Sequence, residues 1–240
     1  MRRRFVCFAM ATLAAWSAPA LPQDVVSDTP LLVVHRARQF GHGTFPRRTP
    51  WQGLYCRGLA CDVRPAEVQI TTTTAIDISE ATIPLDVLNV GDEPLALFPN
   101  GRWKVGHIET WYVAGSPAVP SGQVRQLKQR GQWQMPWGAR PLTLSWVRTP
   151  ENRFRYHVSD GTTTQFLFAT DQESHYGGDT TPVVHWVGDL DGDGAADILL
   201  DLPDDNCGYD ERLYLSSRAA PGKLLGKAGQ LVGGEAACGC

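Results

Sequence analysis

The run Gly188-Asp189-Leu190-Asp191-Gly192-Asp193-Gly194-Ala195-Ala196-Asp197 sets four carboxylates at positions 1, 3, 5 and 9 of a tight loop. Left unpaired, such charges repel one another across a few ångströms, so a chain that folds this stretch must neutralise them or splay them into water. A hard divalent cation neutralises them by sharing their oxygens, and calcium accepts about six to eight oxygen ligands in flexible geometry. The flanks decide what the loop connects. Val183-Val184-His185-Trp186-Val187 precedes it and Ile198-Leu199-Leu200 follows, both rich in β-branched or large apolar residues, which reads as two strands. An EF-hand shares the Asp-x-Asp-x-Asp-Gly opening but needs a Glu at position 12 and a helix on each side, whereas position 12 here is Leu200. The expectation is a calcium loop between two carboxy-terminal strands. Asp189, Asp191, Asp193 and Asp197 would supply side-chain oxygens and Ala195 its carbonyl, with Gly194 permitting the sharp bend. The alternative is an acidic surface turn with no ion.

The stretch from Gly188 to Ile198 resembles the calcium loop of FG-GAP or VCBS repeats, the blade units of integrin-type β-propellers. That resemblance implies a loop joining two strands of a blade, with an ion that stiffens the blade and performs no chemistry. The Asp-rich run occurs once in the chain, and a propeller needs several similar units, so a propeller is not expected. The run from Trp186 to Cys240 also resembles the ends of small exported bacterial proteins.

Export is the second expectation. Arg2-Arg3-Arg4, the short apolar run from Phe5 to Trp16 and the small-residue triplet Ala18-Pro19-Ala20 have the pattern of a secretory signal over residues 1–20, cleaved after Ala20. The apolar run is too short to span a bilayer, so no membrane span is expected. Arg2-Arg3-Arg4-Phe5-Val6 partly matches the twin-arginine pattern, which leaves the general and the twin-arginine export routes both open. The expected location is periplasmic or secreted. Cleavage would remove three Arg and no acid, leaving 19 basic against 25 acidic residues and a net charge of −6. A nucleic-acid partner calls for a basic face, so that class is set aside. An oxidising compartment favours disulfides among Cys56, Cys61, Cys207, Cys238 and Cys240. Cys56 and Cys61 bracket a hairpin-sized loop that a bridge could staple, and Cys207 is expected to reach the Cys238-Gly239-Cys240 end. Five is odd, so one thiol is free, pairs between chains or shares an alternative pairing.

The remaining chain carries a period-two apolar signal with frequent turn residues. Strands are expected over Leu31 to Arg38, Val63 to Ile70, Ile83 to Val90, Pro94 to Phe98 and Ile108 to Val113. In the second half they are expected over Leu142 to Arg148, Arg153 to Ser159, Thr162 to Ala169, Val183 to Val187, Ala196 to Leu202 and Arg212 to Leu215. Asp160-Gly161 is the dipeptide preferred in a type I′ hairpin turn. Val124 to Arg130 offers at most one or two helical turns between Gly122 and Gly131. The fold class is all-β, an antiparallel meander or sandwich. An amino-terminal β unit spans residues 21–115, a Pro/Gly-rich connecting loop 116–141, and a carboxy-terminal β unit 142–240.

Catalytic patterns are absent from the sequence. The six His are scattered, no His-Glu-x-x-His run occurs, and there is no Gly-x-Ser-x-Gly elbow or phosphate-cradling glycine loop. His185 either acts near the ion or is a packed strand residue. Asp201, Asp204, Asp205, Asp210 and Glu211 either form a second weak ion site or a solvated turn. Trp133 and Trp137 either plug a gap between the β units or, with Trp103, offer rings for sugar stacking. The leading expectation is a calcium-stabilised β protein of structural or binding role, with the calcium ion and an envelope glycan or protein as partners. The alternatives are a calcium-dependent hydrolase of envelope polysaccharide or lipid, and a carbohydrate-binding module.

Overall fold

The structure is a computed structural model that describes residues 39–76, 80–101, 103–115, 131–135, 142–151, 153–171, 182–202 and 208–234. Sixteen strands and no helix are found among them. In chain order they are β1 (Gln39–Gly41), β2 (Trp51–Arg57), β3 (Ala60–Ala66), β4 (Val68–Ile76), β5 (Thr82–Val90), β6 (Ala96–Pro99), β7 (Gly106–Ile108) and β8 (Thr110–Val113). There follow β9 (Gly131–Met135), β10 (Leu142–Arg148), β11 (Arg153–Ser159), β12 (Thr164–Asp171), β13 (Val183–Gly188), β14 (Asp197–Asp201), β15 (Gly208–Leu215) and β16 (Gly226–Gly234). All their pairings are antiparallel, and the four sheets stay open. The signal segment, the strand expected at Leu31 to Arg38, the helical turns at Val124 to Arg130, Trp137, and Cys207, Cys238 and Cys240 lie outside the described residues.

The largest sheet, ordered β16-β15-β14-β13-β8, is the middle layer. On one face its Val187, Ile198, Leu200 and Tyr214 pack with Met135, Leu144, Phe154, Tyr156 and Phe168 of the β12-β11-β10-β9 sheet. On the other face Trp186, Leu199 and Leu213 pack with Leu54, Val63, Phe98 and Ile108 of the β6-β2-β3-β7 sheet. Ile198, Leu199 and Leu200 are therefore all buried, although successive side chains of a strand point to opposite faces. Sequence alternation puts Val184 and Trp186 on one face, but a bulge at His185 intervenes, and Val184 joins the first core while Trp186 enters the second. The small β1-β5-β4 sheet closes a third cluster, in which Phe40, Phe45 and Leu88 meet Trp51, Leu97, Tyr209 and Leu231.

Two expected strands each divide between sheets. Val63 to Ile70 breaks at Glu67, so that β3 pairs with β2 and β7 while β4 joins β5. Ile108 to Val113 breaks at Glu109: β7 stays with β3, and β8 crosses to the middle sheet beside β13. Gly131–Met135, inside the stretch read as a connecting loop, is the outer strand of the β9–β12 sheet. The turn at Asp160-Gly161 is longer than the two-residue type I′ expectation. Ser159 pairs with Thr164 across a loop in which Asp160 Oδ1 accepts the N–H groups of Thr162 at 2.9 Å and Thr163 at 2.7 Å, while Gly161 takes a positive φ of 90°. An Asp that satisfies two turn amides stabilises the wider loop.

A Cys56–Cys61 disulfide crosses the β2–β3 hairpin, the bridge that the spacing allowed. No helix among the described residues is long and apolar enough to cross a membrane.

Candidate metal centre

The acidic loop leaves the end of β13 and returns as β14, next to the middle sheet's edge strand β8. Its entry is clamped by the sheet switch at Glu109, whose carbonyl accepts the Asp189 N–H at 2.9 Å. Gly188 sits where space is tightest. A Cβ built there would lie 2.2 Å from Cζ2 of the fully buried Trp186 and 2.5 Å from the Glu109 carbonyl oxygen. The Trp186 indole N–H donates to Thr110 Oγ1 at 3.2 Å, fixing the ring against β8.

Inside the loop the carboxylates are held by backbone amides. Asp189 Oδ1 accepts the N–H groups of Gly192 at 2.8 Å and Asp193 at 3.0 Å, and its Oδ2 accepts that of Gly194 at 2.9 Å. Gly192 and Gly194 take φ values of 78° and 80°, a region that glycine enters without the penalty a Cβ imposes. Asp197, fully buried at the start of β14, accepts the Leu190 N–H at 2.7 Å on Oδ2 and the Ser216 N–H at 2.9 Å on Oδ1. Asp191 accepts the Ser217 hydroxyl, and Asp193 accepts the Ser216 hydroxyl at 2.6 Å and the Ala195 N–H at 2.8 Å.

Of the five residues that the sequence put at the site, Asp189, Asp191 and Asp197 each offer one oxygen, and these oxygens lie within 4.8 Å of one another. Asp189 and Asp197 are buried and Asp191 is half-buried. The three could hold a metal ion. Asp193 is exposed and is not part of that group, its oxygens being turned to Ser216 and Ala195. Ala195 is half-buried, and its amide serves the turn.

The electrostatics follow from the crowding. Burial and, less strongly, the charges of Asp191 and Asp193 push the Asp197 carboxyl up against the pull of the Ser216 and Leu190 amides, and the balance leaves it at about 8. A cation among these oxygens would reverse the balance, because a nearby positive charge favours the ionised form.

Ser216 and Ser217 are the parts of the corner that sequence reasoning missed. They open the connection between β15 and β16, 19 to 26 residues beyond the aspartates they meet, and no linear spacing joins them to the loop. The same connection is tied to the outer layer. Gln165 of β12 accepts the N–H groups of Leu224 at 2.7 Å and Leu225 at 3.0 Å, and donates to the Leu225 carbonyl at 2.7 Å.

Away from this corner, Asp86 of β5 is a further buried carboxylate that the sequence reading passed over. It accepts the Gly43 N–H at 2.8 Å, Arg47 at 3.1 Å and Thr72 Oγ1 at 3.1 Å, and His42 Nδ1 lies 3.0 Å away. Burial would raise its carboxyl, but the bonds from Gly43, His42 and Thr72 outweigh that and lower it. With both oxygens engaged, this network pins the segment after β1 onto the small sheet.

Trp103 and Trp133 are half-buried and pack against the cores, Trp133 edge-on to Tyr112 with ring centroids 5.0 Å apart. His185 is buried in β13 and its carbonyl accepts the Ala114 N–H at 2.9 Å. Comparison of the chain with protein-family models, with curated proteins and with solved structures found no match.

Proposed function

We propose that this is an exported β protein of structural or binding role whose 189–197 corner binds calcium, the ion locking the turn between β13 and β14. The observation that carries the reading is the convergence of three carboxylate oxygens within 4.8 Å, two of them from buried aspartates. An all-oxygen donor set suits calcium or magnesium, whereas structural zinc sites draw on Cys and His. Calcium is preferred over magnesium because a loop of carboxylates and backbone groups accommodates its larger, more variable shell. The loop's resemblance to FG-GAP and VCBS calcium loops supports the same ion. The Cys56–Cys61 disulfide and the signal-like residues 1–20 support a periplasmic or secreted location. Partners on this reading are the ion and an envelope glycan or protein.

An ion that binds only the folded state stabilises it by mass action, by about 4 kcal/mol at a thousand times its Kd. Calcium should therefore raise the melting temperature of the parent protein. Asp191→Ala should abolish most of that rise while leaving the cation-free melting temperature within a few degrees, because Asp191 lies at the loop surface and serves only Ser217 and the Asp193 N–H. Differential scanning calorimetry with calcium and with a chelator decides it. A calcium response that survives Asp191→Ala removes the ligand assignment, and no response in the parent removes calcium.

The response should also grow with pH. With its carboxyl at about 8 when folded, against about 4 unfolded, Asp197 binds more protons in the folded than in the unfolded chain between these values. Its contribution to cation-free stability is therefore full below pH 4 and is lost as pH rises towards 8. The ion binds the deprotonated corner, so its advantage widens over the same range. The calcium-induced shift in melting temperature should be larger at pH 8 than at pH 5.5, and an equal or smaller shift at pH 8 would contradict this.

A further inference from the structure

Open sheets end in strands whose outer N–H and C=O groups are available to another chain, and proteins protect such edges by keeping them short, bulged, charged or interrupted by proline. Most edges here follow that rule. β1 and β7 have three residues, β6 and β8 four and β9 five. β12 is bulged against β11, and β16 carries Lys227 and a register shift against β15. The exception is β4. It runs nine residues, Val68-Gln69-Ile70-Thr71-Thr72-Thr73-Thr74-Ala75-Ile76, in unbroken register with β5, and has no charged residue and no proline. Among the described residues no strand pairs with its outer side. Thr71 to Thr74 are exposed, and Ile76 is 72% exposed at its end.

We propose that the outer edge of β4 is an interface, and that its occupant is β4 of a second copy of this chain, paired antiparallel about a two-fold axis through Thr72. The strand is self-complementary in that register. Thr72 faces Thr72, Thr71 faces Thr73, Ile70 faces Thr74, and the exposed Ile76 is covered by Val68 of the second copy. Facing Thr pairs and aliphatic pairs are favourable cross-strand neighbours. The strand itself carries no charge, and the one guanidinium that reaches Thr72, that of Arg47, is paired with Asp86 of its own chain, so two identical edges meet without the unpaired charges that would hold them apart. Thr72 is already oriented, its hydroxyl bonded to Asp86 and accepting from Arg47 at 2.6 Å. An isologous contact of this kind closes on itself as a dimer, joining two three-stranded sheets into one of six.

Light scattering on the full chain tests the proposal, with non-reducing denaturing electrophoresis to separate covalent from edge-paired species. The parent should have twice the protomer mass in solution and run as a protomer after denaturation. Combining Thr71→Lys with Thr73→Lys sets lysine opposite lysine twice across the axis and should give a monomer. Combining Thr71→Glu with Thr73→Lys adds the same number of charges but sets glutamate opposite lysine twice, and should stay dimeric. Both sites are exposed, so both variants should keep the parent's circular dichroism spectrum. A monomeric parent, a dimer that survives the double-lysine change, or loss of the dimer in both variants would overturn the proposal.

Discussion

Asp197→Ala is expected to cost about 4 kcal/mol of cation-free stability and to abolish the response to calcium. The carboxylate is fully buried and accepts from two backbone donors on different segments, the Leu190 N–H within the loop and the Ser216 N–H just after β15. Alanine leaves the buried Leu190 donor and the partly buried Ser216 donor unanswered, at about 1–3 kcal/mol each. Against a typical total of about 5–15 kcal/mol, that loss brings the chain close to unfolding. Asp197→Asn keeps the shape and one acceptor but turns an amide towards the other donor, so about half the loss is expected, again with no calcium response. Urea unfolding in the presence of a chelator and of calcium measures both quantities. A cation-free Asp197→Ala protein as stable as the parent would show that the carboxylate does not hold the corner. The contrast with Asp191→Ala distinguishes a residue whose bonds stay at the exposed rim of the corner from one that also ties the loop to the β15–β16 connection.

Gly188→Ala is expected to lower stability by about 3 kcal/mol, the upper part of the usual range for adding a methyl group to a packed interior. The added carbon would meet the Trp186 ring at 2.2 Å and the Glu109 carbonyl at 2.5 Å. Neither can yield cheaply. The ring is enclosed between two sheets and bonded to Thr110, and the carbonyl belongs to the backbone that accepts Asp189. Relief requires β8 to move away from β13, which loosens the entry to the acidic loop, so calcium affinity should fall together with the urea midpoint. Titration calorimetry and urea unfolding check the two effects. A variant within about 0.5 kcal/mol of the parent, the scatter expected of a surface change, would mean that this contact is slack.

What could be read from the sequence was local. Aspartates at every second position report a turn crowded with charge, and the largely apolar stretches Val183 to Val187 and Ile198 to Leu200 report strands, because both signals lie within a few residues. The Cys56–Cys61 bridge was legible for the same reason. The braces of the corner were not. Ser216 and Ser217 reach Asp193, Asp197 and Asp191 only because β15 lies beside β14, and a hydroxyl at a strand end carries no sign of its partner. The division of Val63 to Ile70 and of Ile108 to Val113 between sheets was hidden too, since a strand that changes sheets keeps the same alternating pattern. The bulge at His185 inverts the face of Trp186, and nothing in Val-Val-His-Trp-Val announces an extra residue. Nothing around Asp86 in the sequence marks its role, because His42 and Arg47 converge on it from the segment after β1 and Thr72 from β4.

The middle layer draws its strands from two distant parts of the chain, with 76 positions separating Thr110 from Trp186, whose side chains meet across it. During synthesis β8 therefore leaves the ribosome long before β13 to β16 exist to receive it. Among the described residues, the apolar inner side of the β2, β3 and β6 sheet is covered chiefly by that last portion. A chain ending before residue 183 would lack Trp186, Leu199 and Leu213, the partners that Leu54, Val63 and Phe98 meet in the finished core.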